Sequence, residues 1–292
     1  MINALKRLLK GGLNQPLQFL RRHKVRNALA QLASHQHPQL KAVGIALQES
    51  LSGELSAQER KVISLIENRR SFLLGSDKVI PVVDYGAGSP SSSRTREEME
   101  KGVRSTAKVA KITRASKSQF WATVLFKIIR NLEPQSCIEL GSCVGISASY
   151  QASALNINGK GAVVTLEGSP EIANIAKETF VNLGIKNASV VTGPFHETLT
   201  NVFEISKPID FFFNDGHHDH DAVIRYFNQA MPYLSETAVI VFDDISWSPG
   251  MRKAWAEIKA DERVSASIDL RKIGIAFVTK SLSTKERLVI PL

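Results

Sequence analysis

Residues 137–147 read Cys-Ile-Glu-Leu-Gly-Ser-Cys-Val-Gly-Ile-Ser, and this stretch decides the fold. A short apolar run, Cys137 to Leu140, ends at Gly141, and a helical stretch follows over 144–156. Gly141 permits a tight strand-to-helix turn, and Gly145 lets the start of the helix approach a ligand. The same rhythm continues downstream. Strand-like runs at Ala162 to Leu166, Ser189 to Thr192, Ile209 to Phe213 and Ala238 to Phe242 alternate with helical stretches near 170–183, 196–205, 220–234 and 250–260. Five strands alternating with helices predict a parallel, doubly wound sheet with right-handed crossovers. The chain then closes differently. Val264 to Leu270 and Ile273 to Val278 are separated only by Arg271-Lys272, which requires an antiparallel hairpin. The expected fold class is α/β: a Rossmann-like sheet of five parallel strands with a C-terminal antiparallel hairpin, preceded by a helical N-terminal extension.

In such sheets ligands sit beyond the carboxyl ends of the strands, at the switch point. The first of those ends is the glycine turn at 141–145. The second strand ends in Glu167-Gly168-Ser169, 28 residues beyond Glu139, where a carboxylate can accept hydrogen bonds from both hydroxyls of a ribose. The fourth ends in Asn214-Asp215-Gly216-His217-His218 and the fifth in Asp243-Asp244. One glycine pair is common in any sequence. A glycine turn, a ribose acid and two further acidic strand ends in register are much harder to obtain by chance.

The stretches IELGSCVGIS, TLEGS, FFNDGHHDHDAV and VIVFDDISW, with GMRKAW beyond them, resemble the class I S-adenosylmethionine-dependent methyltransferases. The similarity is to their small-molecule O-methyltransferase branch and covers residues 137 to 279, about half the chain. It implies an enzyme that methylates a hydroxyl of a small molecule or glycan. It places Glu139, Gly141, Ser142, Gly145 and Ser147 around the methionine part of the cofactor, Glu167 with Gly168 at the ribose, Phe195 in Gly193-Pro194-Phe195 at the adenine, and Asp215 beside the cofactor. Pro194 stands where the family usually has an acid. For catalysis the resemblance implies His218 as base, with Asp215 and His217 beside it, and magnesium on Asp215, Asp243 and Asp244. His217 replaces the aspartate usual between Gly216 and the second histidine. Alignment of the acceptor with the sulfonium, and removal of its proton by a base or a metal, are what such a transfer needs. A non-catalytic cofactor-binding or scaffold protein keeping this fold is the alternative.

Around this core the composition is that of a globular chain: 292 residues, 43% hydrophobic and 22% charged. The net charge of +9 is localised. Eight of the 37 lysines and arginines precede the first acid, Glu49, which leaves 29 basic against 28 acidic residues in the remainder. A body this close to neutral, with no Asn-Pro-Pro-aromatic motif after the fourth strand, argues against a nucleic-acid partner. In the basic arm, leucines at 5, 8, 9, 13, 17 and 20 recur at helical spacing, interrupted by Gly11-Gly12 and Pro16. Three readings fit it: peripheral contact with an anionic membrane surface, a cleavable targeting peptide, or a helical extension that packs on the body or on another subunit of a homo-oligomer. No run approaches the length of a membrane span, and two cysteines, Cys137 and Cys143, suggest a reducing, cytoplasmic setting.

Ser56 and Glu59 have capping-box spacing at the start of a helix running to Leu74. Asp84-Tyr85-Gly86-Ala87-Gly88 resembles the cofactor turn, but Ser-Pro-Ser-Ser-Ser follows it, so residues 84–96 are expected as a loop at the site's mouth. Residues 97 to 131 read as helices. The organisation is therefore 1–75 basic helical extension, 76–135 connecting loop and helices, 136–280 cofactor-binding domain, and 281–292 tail. Two alternatives fail on order. Gly141 to Gly145 mimics a nucleophile elbow around Cys143, yet no histidine follows His220 to complete a triad, and none completes a metallohydrolase shell around His217 to Asp221.

Overall fold

The computed structural model describes residues 23–89, 92–282 and 284–292, so most of the basic arm's leucine pattern lies outside the described residues. Helix α1 covers 23–33, followed by α2 (Pro38–Ser52) and α3 (Ala57–Leu74). Ser56 caps α3 as its sequence predicts: its hydroxyl accepts from Glu59 N–H while the Glu59 carboxylate accepts from Ser56 N–H. A mixed region follows: β1 (Val79–Asp84), the two-residue strands β2 (Gly88–Ser89) and β3 (Ser92–Ser93), α4 (Arg96–Lys101), β4 (Val103–Lys108), α5 (Val109–Arg114) and α6 (Gln119–Leu132). The all-helical reading of 97–131 is corrected at β4. Gly102 breaks the helix, and Val103-Arg104-Ser105-Thr106 pairs antiparallel with β1, from Val79 opposite Lys108 to Asp84 opposite Val103.

The five expected parallel strands are β5 (Ser136–Leu140), β6 (Ala162–Glu167), β7 (Ala188–Thr192), β8 (Ile209–Asn214) and β9 (Leu234–Phe242). Helices α7 (Ile146–Asn158), α8 (Pro170–Leu183), α9 (Phe195–Ser206) and α10 (His220–Ala230) connect them, and α11 (Pro249–Ala260) leads to the hairpin of β10 (Ala266–Asp269) and β11 (Gly274–Thr279). The last segment is not a tail alone: β12 (Glu286–Val289) pairs parallel with β10. The sheet order is β12-β10-β11-β9-β8-β5-β6-β7. From β5 the chain steps outward to β6 and β7, then returns to place β8 on the other side of β5. That reversal makes the switch point between the ends of β5 and β8.

Fully buried strands read as continuous apolar runs because both faces are covered. In β8, Phe211 and Phe213 face one core and Phe212 the other. Helices α9 to α11 cover the Phe212 side. The Phe211 side is covered by α6 and α7 and also by Leu29, Leu32, Leu40, Val43 and Leu47 of α1 and α2. From residue 23 onward the N-terminal extension thus shares the core of the sheet, which corrects the separation of 1–75 from the body. Gly44 lets α2 lie against α1: a Cβ there would meet Ala33 N at 2.4 Å. Buried charge fastens the same elements, with Lys127 Nζ of α6 at 2.9 Å from Glu59 and 3.1 Å from Glu49. Among the described residues no helix is long and apolar enough to cross a membrane.

Candidate active site

A cavity of about 750 Å³ opens at the switch point. Its floor is the carboxyl ends of the strands, and one wall is the segment between β1 and α6. Gly141 makes the floor possible. Its φ is +89°, and a Cβ would lie 2.8 Å from the Asp215 carbonyl oxygen and 2.9 Å from Gly216 Cα, so the β5 and β8 ends meet only across a glycine. Ser147, Glu167, Gly168, Phe195 and Asp215 line the same cavity. The Glu167 carboxylate accepts from Cys143 N–H at 2.9 Å and Ser169 N–H at 3.0 Å. Burial nevertheless pushes its pKa up to about 7. Phe195 lies against Gly216, where a Cβ would fall 2.4 Å from its ring.

Three residues expected at the cofactor stand behind the wall instead. Glu139 is fully buried and accepts from Thr165 Oγ1 at 2.6 Å and Gln151 Nε2 at 2.9 Å. Ser142 bonds the same threonine at 2.6 Å. Gly145 serves helix packing rather than a ligand: a Cβ there would meet Ala176 Cα of α8 at 3.1 Å. Burial pushes the Cys143 thiol up to about 12, away from the thiolate a nucleophile needs.

At the other end of the cavity His218 Nε2 lies 3.7 Å from Asp215, 4.0 Å from Asp243 and 3.9 Å from Asp244. Its ring leans on Trp247, with centroids 5.5 Å apart. Burial lowers the imidazole pKa, but the three carboxylates outweigh it and raise it above the ordinary 6.5. His217 is arranged differently. Its Nε2 donates to the Tyr85 carbonyl at 2.9 Å, and burial lowers its pKa, so it is a neutral latch on the 84–96 loop rather than a catalytic group. That loop does reach the site's mouth: Asp84, Tyr85, Gly86, Arg94 and Arg96 line the cavity. Arg94 braces it through Asp84 Oδ2 and the Gly86 carbonyl, both at 2.9 Å.

The expected magnesium shell is altered in two ways. The groups that converge, with ligand atoms within 4.8 Å of one another, are Asp215, His218 and Asp243; Asp244 pairs instead with Lys272 at 3.0 Å. A lysine also stands at the cluster. Lys117, from the turn between α5 and α6, donates to Asp215 Oδ1 at 3.1 Å and to Asp243 Oδ2, and its side chain is only 6% exposed. Burial would raise Asp215, yet Lys117 and His218 hold its carboxyl down at about 2. Burial and the Asp215 charge push Asp243 up to about 8. These residues do not fit a divalent cation, since the two carboxylates are already bridged by an ammonium. Lys117 was not marked by any sequence motif; Ser-Lys-Ser ahead of an apolar helix reads as a solvated helix start.

Residues 138–245 match a family model described as a methyltransferase domain. The chain carries a methyltransferase domain over these residues. Solved structures similar to it include an SAH-bound methyltransferase of Podospora anserina (19% identity, 56% of this chain and 80% of that one, TM-score 0.50). An O-methyltransferase of Bacillus cereus in complex with SAH shares 24% identity over 59% of this chain and 86% of that one, at TM-score 0.50. A putative O-methyltransferase of Klebsiella pneumoniae is covered completely and covers 83% of this chain, at 15% identity and TM-score 0.50. These likenesses are of fold. No curated protein matches the chain. In the methyltransferase domain the five parallel strands, the closing hairpin, the glycine turn and the acid at the end of β6 are those the sequence implied.

Proposed function

We propose that the methyltransferase domain transfers the methyl group of S-adenosylmethionine to a hydroxyl oxygen of a small molecule or glycan. The observation that carries this reading is the placement of His218 Nε2. It is buried, has no hydrogen-bond partner among the described residues, and belongs to the same cavity as Glu167 and the Gly141 turn. S-adenosylmethionine supplies an electrophilic methyl sulfonium when bound. Glu167 fits the ribose, because a carboxylate held by two backbone N–H groups retains lone pairs for two hydroxyls. Gly141 and Ser147 leave room for the methionine part, and Phe195 offers an apolar face to the base. His218 then has two tasks. It orients the acceptor hydroxyl by accepting its hydrogen bond, and it takes the proton as the new C–O bond forms. Asp215 and its neighbours stabilise the resulting imidazolium. The neutral acceptor thus becomes a nucleophile only when aligned, which favours transfer over hydrolysis.

Isothermal titration with S-adenosylmethionine and SAH, followed by a methyl-transfer screen over catechols, sugars and hydroxy acids, tests the reading. Absence of binding by both ligands overturns it, whereas binding without transfer to any hydroxyl favours the scaffold alternative. For the arm, the charge pattern supports contact with anionic lipid: residues 1–22 hold five basic residues and no acid. Cosedimentation with anionic vesicles, lost on deletion of residues 1–22, is the expected result.

A further inference from the structure

We propose that Lys117 is a built-in counter-ion that occupies the role of a divalent cation between Asp215 and Asp243 and excludes metal from this site. The geometry begins with shared oxygens. Asp215 Oδ1 and Asp243 Oδ2 each face Lys117 Nζ on one side and His218 Nε2 on the other. A cation bound to those oxygens would lie beside a buried ammonium, and like charges in a poorly solvated site repel strongly. Magnesium also demands near-octahedral oxygen ligation, and this cluster offers an imidazole as its third group.

Two ammonium groups already stand among the three acids. Asp215 and Asp243 share Lys117, Asp244 has Lys272, and His218 faces all three acids. The lysine is fixed rather than mobile: it is 6% exposed, and its Nζ lies 5.9 Å from the centre of the Phe213 ring of β8. Asp243 Oδ1 and His218 Nε2 are buried without a partner among the described residues. Lys117 is on this view a positioning residue. It holds the two carboxylates where they orient His218, which a metal would otherwise do. The consequence for turnover rests on the proposed O-methylation, but the exclusion of metal does not.

The test uses the full-length protein after chelator treatment, with Mn²⁺ as probe and electron paramagnetic resonance reporting the free ion. Wild type is expected to leave the free Mn²⁺ signal undiminished. Lys117→Met, which keeps the volume and removes the charge, is expected to bind at least about tenfold more tightly than wild type, as unneutralised carboxylates regain a need for a cation. Circular dichroism and titration with S-adenosylmethionine check that the variant is folded, and Lys117→Arg, which retains a cation, is expected to stay metal-free. Saturable Mn²⁺ binding by wild type that Asp243→Asn abolishes overturns the proposal whatever the variants do. Failure to bind S-adenosylmethionine would instead overturn the methyltransferase reading and leave the Mn²⁺ result standing.

Discussion

Replacing Glu139 by glutamine should make the protein more stable in a pH-dependent way. Glu139 is fully buried between β5 and α7, and burial pushes its pKa from 4.5 up to about 7. The unfolded chain therefore releases this proton near pH 4.5, while the folded chain keeps it until about 7. As pH rises through that window the native state binds the extra proton, so stability falls with rising pH and levels off above 7. At about 1.4 kcal/mol per unit, the whole window amounts to roughly 3 kcal/mol. The amide does not titrate and keeps the volume. Gln151 Oε1 is buried without a partner among the described residues, so a turned Gln151 side chain can receive the new N–H while the Thr165 hydroxyl keeps an acceptor. Urea denaturation of both proteins at pH 5 and pH 8 measures the effect. The advantage of Glu139→Gln over wild type should grow by about 2–3 kcal/mol between those values. An advantage of equal size at both would refute a protonated Glu139 in the fold.

Other consequences are testable with equal directness. Glu167→Ala should weaken S-adenosylmethionine binding by about 1.5–3 kcal/mol. Because wild-type Glu167 is raised to about 7 and ribose hydroxyls favour its charged form, calorimetry should show affinity rising and protons released as pH climbs through 7, a dependence that Glu167→Gln abolishes. Gly141→Ala should cost about 2 kcal/mol or more in chemical denaturation, from its positive φ together with the approach to Asp215, and should lose cofactor binding in titration. Lys127→Ala should destabilise by about 1–3 kcal/mol, read from urea midpoints, since it leaves buried Glu59 with only the Arg130 guanidinium at 3.3 Å. With an accepting hydroxyl in hand, His218→Ala should lower turnover by roughly 10²–10⁴. The wild-type rate should fall as pH drops through a value above 6.5, where the imidazole becomes protonated.

The sheet was legible because its strands are buried on both faces and short, so Ile209 to Phe213 and Val239 to Phe242 stand out against amphipathic helices. The strand β4 was not, because Val103-Arg104-Ser105-Thr106 has an exposed, polar pattern whose reason to be extended is its partner β1, about 20 residues earlier in the chain. The β12 strand was hidden in the same way, by pairing with β10. Within the cavity, Gly141, Glu167, Asp215, His218 and Asp243 were legible as lining residues because each stands at or just beyond the end of a strand. Position did not distinguish which side of the strand end a residue faces, and Glu139, Ser142 and Gly145 turn away from the cavity. Lys117 was invisible for a further reason. A lysine carries no motif, and only the return of the α5–α6 turn onto the switch point brings it to the two acids.

The β1–β4 pair has a consequence for how such an enzyme can acquire new acceptors. Residues 79 and 108 are directly opposed in the antiparallel ladder, so the intervening chain leaves and re-enters at neighbouring points, about 5 Å apart. That stretch contributes Tyr85, Arg94 and Arg96 to the cavity wall but none of the strand-end residues on the floor. Its link to His217 comes through the Tyr85 carbonyl, a group every amino acid possesses. The piece is therefore a cassette in the genetic sense. A segment of different length or sequence joined at the same two points could redraw this wall of the cavity in a single recombination, while Glu167, Gly141 and His218 stay in place.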